Sequence, residues 1–235
     1  MLIEKKICAS IPLIDEELAS VEDKVEQALK EGISFIEFRF DYLNDFENIN
    51  SILERISKYK KHSIYTLRPV TEGGKFGESD TKRVILLKEL ALAKPMLLDL
   101  EYNTIRTNDE LADFIDNNGI RTLISWHDFA ITPNEENLVN LIDKMRVFSH
   151  FIKIVTTANT MEDTIRILKL YRLIDTSINL IAFSMGELGI LSRVLCNVIG
   201  DSPFTYATIG NAIAPGQLTI NQMKSLYSLF HKKLI

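Results

Sequence analysis

Short apolar runs and amphipathic stretches alternate along the whole chain. The runs Lys6–Ile11, Phe35–Asp41, His62–Arg68, Met96–Glu101, Arg121–His127, Phe151–Thr156, Leu180–Ser184 and Phe204–Thr208 are short, rich in β-branched and aromatic residues, and bounded by polar ones. Each predicts a strand. Between them lie stretches with apolar residues at helical spacing: Glu16–Glu31, Glu47–Tyr59, Asp80–Ala93, Asn108–Asn117, Glu135–Phe148, Met161–Leu173, Leu188–Val198 and Ile220–Lys232. Their polar faces carry Glu, Lys and Asp, as outer helices should. Strand alternating with helix points to a parallel sheet, and eight such units predict a (β/α)8 TIM barrel with its site at the C-terminal strand ends. A doubly wound sheet would carry a glycine-rich first turn, whereas SIPLIDEE, Ser10 to Glu17, has no glycine. No Pro/Ser-rich linker or low-complexity tract interrupts the pattern, so residues 1–235 read as one barrel domain.

Chemistry enters where polar residues break the apolar runs. In HFIKIVT the side chains of Phe151, Lys153 and Val155 share one strand face and Ile152 and Ile154 the other. The Lys153 ammonium is thus aimed at an interior, where burial favours the free amine that a Schiff-base enzyme needs. A lysine that snorkels outward or pairs with a carboxylate fits the same pattern. FIEFRFD puts Glu37, Arg39 and Asp41 on one face and Ile36, Phe38 and Phe40 on the other. In a barrel covered by helices the charged face must turn inward. LRP ends the third strand at Arg68, followed by Glu72 and a flexible Gly73-Gly74 pair, and SWHD puts His127, a candidate proton carrier, at the end of the fifth. FSMGELGILSR leads through Gly186 and Gly189 into a helix carrying Arg193. That segment reads equally as an anion site or a plain helix cap. The loop Gly210 to Gln217 is long enough to fold over the mouth.

Composition narrows the partners. A net charge of −5 without a long basic run argues against nucleic acid or anionic membrane, leaving a small-molecule substrate. The two cysteines, Cys8 and Cys196, have no metal-ligand spacing and suggest no disulfide framework, so a reducing cytoplasm is expected. No run approaches the roughly 18 apolar residues of a membrane span, and MLIEKK lacks a signal-peptide core.

Taken together, these motifs resemble the type I 3-dehydroquinate dehydratases of the shikimate pathway. The resemblance rests on E-x-R-x-D (Glu37, Arg39, Asp41), R-x-x-x-E-G-G (Arg68, Glu72, Gly73, Gly74), His127, Lys153, S-M-G with a downstream arginine (Ser184, Met185, Gly186, Arg193) and A-P-G-Q (Ala214 to Gln217). It implies a homodimeric lyase, without metal or cofactor, that dehydrates 3-dehydroquinate to 3-dehydroshikimate through an imine. Lys153 would form that imine, His127 would shuttle protons and Glu72 would orient His127. Arg193 would take the substrate carboxylate. Glu37, Arg39 and Arg68 would bind ring hydroxyls, with Gln217 closing from the loop and Ser10 lining the pocket. Ile213 departs from the family pattern, which has Ser or Thr there, and removes one loop-to-substrate hydrogen bond. Two other readings stay open: a Schiff-base aldolase holding a sugar phosphate at Gly186, and a binding barrel in which Lys153 only pairs with Glu37.

Overall fold

The structure, a computed structural model, describes residues 6–210 and 212–231. The start MLIEK, Asn211 in the predicted loop and Lys232 at the end of the last predicted helix lie outside the described residues. Eight strands form one sheet: β1 (Ile7–Pro12), β2 (Phe35–Arg39), β3 (Ser63–Thr66), β4 (Leu97–Glu101), β5 (Thr122–His127), β6 (Phe151–Thr157), β7 (Asn179–Met185) and β8 (Thr205–Thr208). Each pairs in parallel with its sequence neighbour from β1 to β7, and β8 returns to pair with β1. The α-helices are α1 (Val21–Lys30), α2 (Ile49–Ile56), α3 (Asp80–Leu92), α4 (Tyr102–Ile105), α5 (Asp109–Asn117), α6 (Glu135–Met145), α7 (Met161–Leu173), α8 (Ile190–Ile199) and α9 (Ile220–His231). The result is the predicted TIM barrel, closed except at one seam. Among the described residues no backbone ladder joins β7 to β8. There Phe183 and Tyr206 meet edge to face, their centroids 6.3 Å apart.

The side-chain alternation of the strands separates two cores. Outward residues such as Ile36, Phe38, Ile152 and Ile154 are fully buried against the helices. Inward residues Cys8, Ile64, Leu97, Leu123, Ile181 and Phe204 plug the barrel. One step toward the C-terminal ends, Glu37, Thr66, Asp99, Ser125 and Lys153 turn the interior polar. The apolar plug supplies the stability, and the polar layer above it is where chemistry can occur.

Departures from the predicted elements have local causes. The first predicted helix splits into a 3-10 stretch, Asp15–Ser20, and α1. Within it the Ser20 hydroxyl donates to the Glu17 carbonyl, offering the backbone an alternative to the α-helical ladder. The second strand stops at Arg39 and a 3-10 turn, Phe40–Tyr42, follows, so Asp41 leaves the strand alternation. Helix α4 was not expected, because four residues are too few to display a period.

Candidate active site

Every residue singled out for function lines one cavity at the C-terminal ends of the strands: Ser10, Glu37, Arg39, Arg68, Glu72, His127, Lys153, Arg193 and Gln217. Phe129, Phe183, Met185, Tyr206 and Ile213 are among the other residues of its wall. Lys153 points inward and is 6% exposed. Its Nζ is 3.2 Å from Asp99 Oδ2 and 4.4 Å from the centroid of the Tyr206 ring. The Asp99 carboxylate pairs with the amine inside the barrel. The partner is therefore Asp99 rather than Glu37, whose two oxygens accept hydrogen bonds from Ser10 at 2.7 Å and Thr66 at 2.9 Å.

Asp99 anchors a buried polar network that sequence reasoning missed. Arg68 donates to Asp99 and Glu101, both at 2.6 Å, and to Ser125 at 2.7 Å. Arg83 reaches the other oxygen of Glu101. Burial disfavours the charged form of Asp99, but the charges of Arg68 and Lys153 and the Ser125 hydrogen bond outweigh it and hold the carboxyl below its ordinary range. Strand β4 reads LLDLE, the same alternation that exposed Glu37 and Arg39, so the signal was present in the sequence. Arg39 forms a bidentate pair with Asp41, with Nε to Oδ1 and Nη2 to Oδ2 both 2.8 Å. Asp41 also accepts from the Lys75 amide, which ties β2 to the loop after β3.

His127 and Glu72 form the titratable pair of the site. His127 Nδ1 lies 3.1 Å from Glu72 Oε2, and Asn103 donates to Glu72 Oε1 at 3.2 Å. Burial, helped by the charges of Arg68 and Lys153, pushes the imidazole well below its ordinary pKa, so the ring is neutral at neutral pH. Burial raises Glu72 to about 7 against the opposing charge of Arg68. Phe129 stacks on His127 with centroids 6.1 Å apart. The glycines beside Glu72 serve close packing rather than flexibility. Gly73 has φ +76° and a Cβ there would strike the Phe129 ring, while a Cβ on Gly74 would sit 2.0 Å from the Arg68 carbonyl oxygen.

Arg193 projects from the first turn of α8 and is 2% exposed. It has no carboxylate partner among the described residues: Nη2 donates to the Pro215 carbonyl at 3.2 Å, and Nε has no partner. Its guanidinium lies 4.3 Å from the Phe183 centroid. Burial without a counter-charge lowers its pKa to about 10. The loop after β8 covers the mouth, with the Ile213 amide bonded to Gln217 Oε1 at 3.0 Å and Gln217 Nε2 3.5 Å from Ser10 Oγ. Among the described residues no cluster of three His, Cys, Asp or Glu side chains could hold a metal ion, and no helix is long and apolar enough to cross a membrane. Cys8 and Cys196 are buried free thiols.

Known proteins share both the sequence and the architecture. The 3-dehydroquinate dehydratase of Dehalococcoides mccartyi (strain ATCC BAA-2266 / KCTC 15142 / 195) is 37% identical over 200 residues, covering 84% of this chain and 86% of its own. That of Methanococcus maripaludis (strain C6 / ATCC BAA-1332) is also 37% identical, over 224 residues, covering 93% and 98%. The crystal structure of the 3-dehydroquinate dehydratase from Aquifex aeolicus VF5 matches with a TM-score of 0.78 at 27% identity, covering 96% of this chain and 99% of the other. The family model for Type I 3-dehydroquinase spans residues 7–234, and the chain belongs to that family.

Proposed function

We propose that the chain is a 3-dehydroquinate dehydratase of the shikimate pathway, a lyase that works through an imine on Lys153 without a metal or cofactor. The observation that carries this reading is the pairing, in one cavity, of a buried lysine with a buried arginine that has no carboxylate partner among the described residues and an unsatisfied Nε. A ligand with a ketone and a carboxylate satisfies both. As the ketone arrives, neutral His127 takes a proton from Lys153 and frees its nitrogen to attack. Attack, with the amine's remaining extra proton passing to the oxygen, gives a carbinolamine. His127 returns the proton it took to the hydroxyl, which leaves as water to form the iminium, the electron sink. His127 then removes the proton beside the iminium carbon and protonates the departing hydroxyl, and water releases the product from Lys153. Glu37, Arg39 and Arg68 face the ring hydroxyls, while Ser10 and Gln217 close the wall beneath the loop. A cytoplasmic homodimer accords with the family resemblance. The sugar-phosphate aldolase is less well supported, because amides at the start of α8 are already used: Gly189 N donates to Gly186 O at 3.1 Å and Ser192 N to Gly189 O at 2.9 Å.

Borohydride reduction with dehydroquinate in the presence of EDTA tests this reading. The expected results are added ligand mass on the Lys153 peptide with loss of activity in the reduced protein and, in a separate assay without borohydride, turnover undiminished by EDTA. Label on Lys75 or Lys169, or activity lost to EDTA and restored by zinc or magnesium, overturns it.

The pair Glu72 and His127 also sets a pH dependence. Ionised Glu72 accepts from Nδ1–H and leaves the Nε2 lone pair free to act as a base, whereas protonated Glu72 donates to Nδ1 and reverses the tautomer. Since Glu72 titrates at about 7, kcat/KM should rise with pH through that value. Glu72→Gln should remove this limb, and a mutant profile identical to that of the unsubstituted protein would dissociate Glu72 from it.

A further inference from the structure

Two of the basic side chains lining the cavity, Lys153 and Arg193, rest on one aromatic pair. Lys153 Nζ lies over Tyr206 at 4.4 Å and the Arg193 guanidinium over Phe183 at 4.3 Å. The two rings contact each other edge to face at 6.3 Å across the seam where β7 and β8 lack a ladder. Phe204 braces Tyr206 from below at 5.6 Å, nearly perpendicular. Phe183 is 2% and Tyr206 4% exposed, so both faces act in a desolvated interior where an aromatic quadrupole attracts a cation most strongly. Among the described residues no backbone ladder sets the separation of these strands, and the ring contact spans the gap between them.

We propose that Phe183 and Tyr206 form a platform that fixes the distance between the Lys153 amine and the Arg193 guanidinium, and so selects ligands with a carboxylate at a set distance from a ketone. The proposal rests on the imine and carboxylate roles given above and adds the device that relates them. The Tyr206 face lies 4.4 Å from the nitrogen that becomes positively charged when the iminium forms, so it stabilises that charge as the electron sink appears. The Phe183 face holds a guanidinium that has no carboxylate of its own and orients it for the ligand's. Both are positioning residues.

Fluorinated phenylalanines test the platform, because fluorine drains the ring face of negative charge with little change in shape. With Tyr206→Phe as the reference at position 206, mono-, di- and trifluorophenylalanine should slow borohydride-trapped imine formation stepwise, by roughly threefold to thirtyfold across the series. The same series at position 183 should raise KM for dehydroquinate stepwise and leave trapping by a hydroxylated cyclohexanone without a carboxylate less affected. Thermal unfolding of each variant separates these effects from misfolding. A flat response at both positions in folded protein overturns the platform while leaving the imine reading intact. Absence of trapped imine in the unsubstituted protein removes the imine reading and the platform with it.

Discussion

His127→Ala is expected to lower kcat by about 100- to 10,000-fold, the usual worth of general acid-base help, while dehydroquinate binding weakens much less. In the proposed cycle one imidazole moves protons in imine formation, in abstraction beside the iminium and in the departure of water, so its loss is felt in transition states rather than in the ground state. The site is built to keep that ring neutral. Burial and three neighbouring basic groups, Arg68, Lys153 and Arg39, lower its pKa, and Glu72 at 3.1 Å fixes Nδ1. An alanine leaves Lys153 and Arg193 in place, the two groups that hold the ketone and the carboxylate in the proposed cycle. Steady-state kinetics with a separate measurement of ligand affinity distinguishes the two effects. A mutant within roughly threefold of the unsubstituted kcat, far below the range for proton-transfer catalysis, removes His127 from the mechanism.

The barrel and most of the cavity wall were legible in the sequence because parallel strands alternate strictly. Once Ile36 and Phe38 must face helices, Glu37 and Arg39 must face inward, and the same logic places Lys153. The rule failed at Asp41 because a strand end is not a strand: the bidentate pair with Arg39 forms across a 3-10 turn that periodicity cannot announce. Asp99 and Glu101 obeyed the rule and were overlooked within an apolar run, although their network with Arg68 and Arg83 holds the polar layer together. Phe183 and Tyr206 gave no signal at all, since a sequence cannot say which of many buried aromatics will lie beneath a cation. The glycines after Glu72 were legible in kind but not in purpose. Only the packed position of Phe129 against Gly73 and of the Arg68 carbonyl against Gly74 shows that space, not mobility, is what they provide.

Arg193→Ala should reduce kcat/KM by about a hundredfold or more, whereas Ile213→Ser should change it by no more than about tenfold in either direction. Ile213 lines the cavity at the position where the family resemblance implies a hydroxyl. A neutral hydrogen bond from such a hydroxyl is worth about 0.5–1.5 kcal/mol, or roughly a two- to twelvefold effect. Seating the loop does not depend on that side chain, because the Ile213 amide already bonds Gln217 and Pro215 already accepts from Arg193. The isoleucine excludes water by bulk. Arg193 stands differently. Its pKa, lowered to about 10 by burial, marks a charge that the fold leaves uncompensated, a bias against the cation on the order of 3 kcal/mol. A carboxylate arriving at that guanidinium relieves the bias and adds charge-assisted hydrogen bonds worth on the order of 1.5–3 kcal/mol. Alanine forfeits both and strands the ligand's carboxylate in a dry cavity. Steady-state kinetics on the two variants decides the matter, and an Arg193→Ala enzyme no worse than Ile213→Ser would place the carboxylate elsewhere.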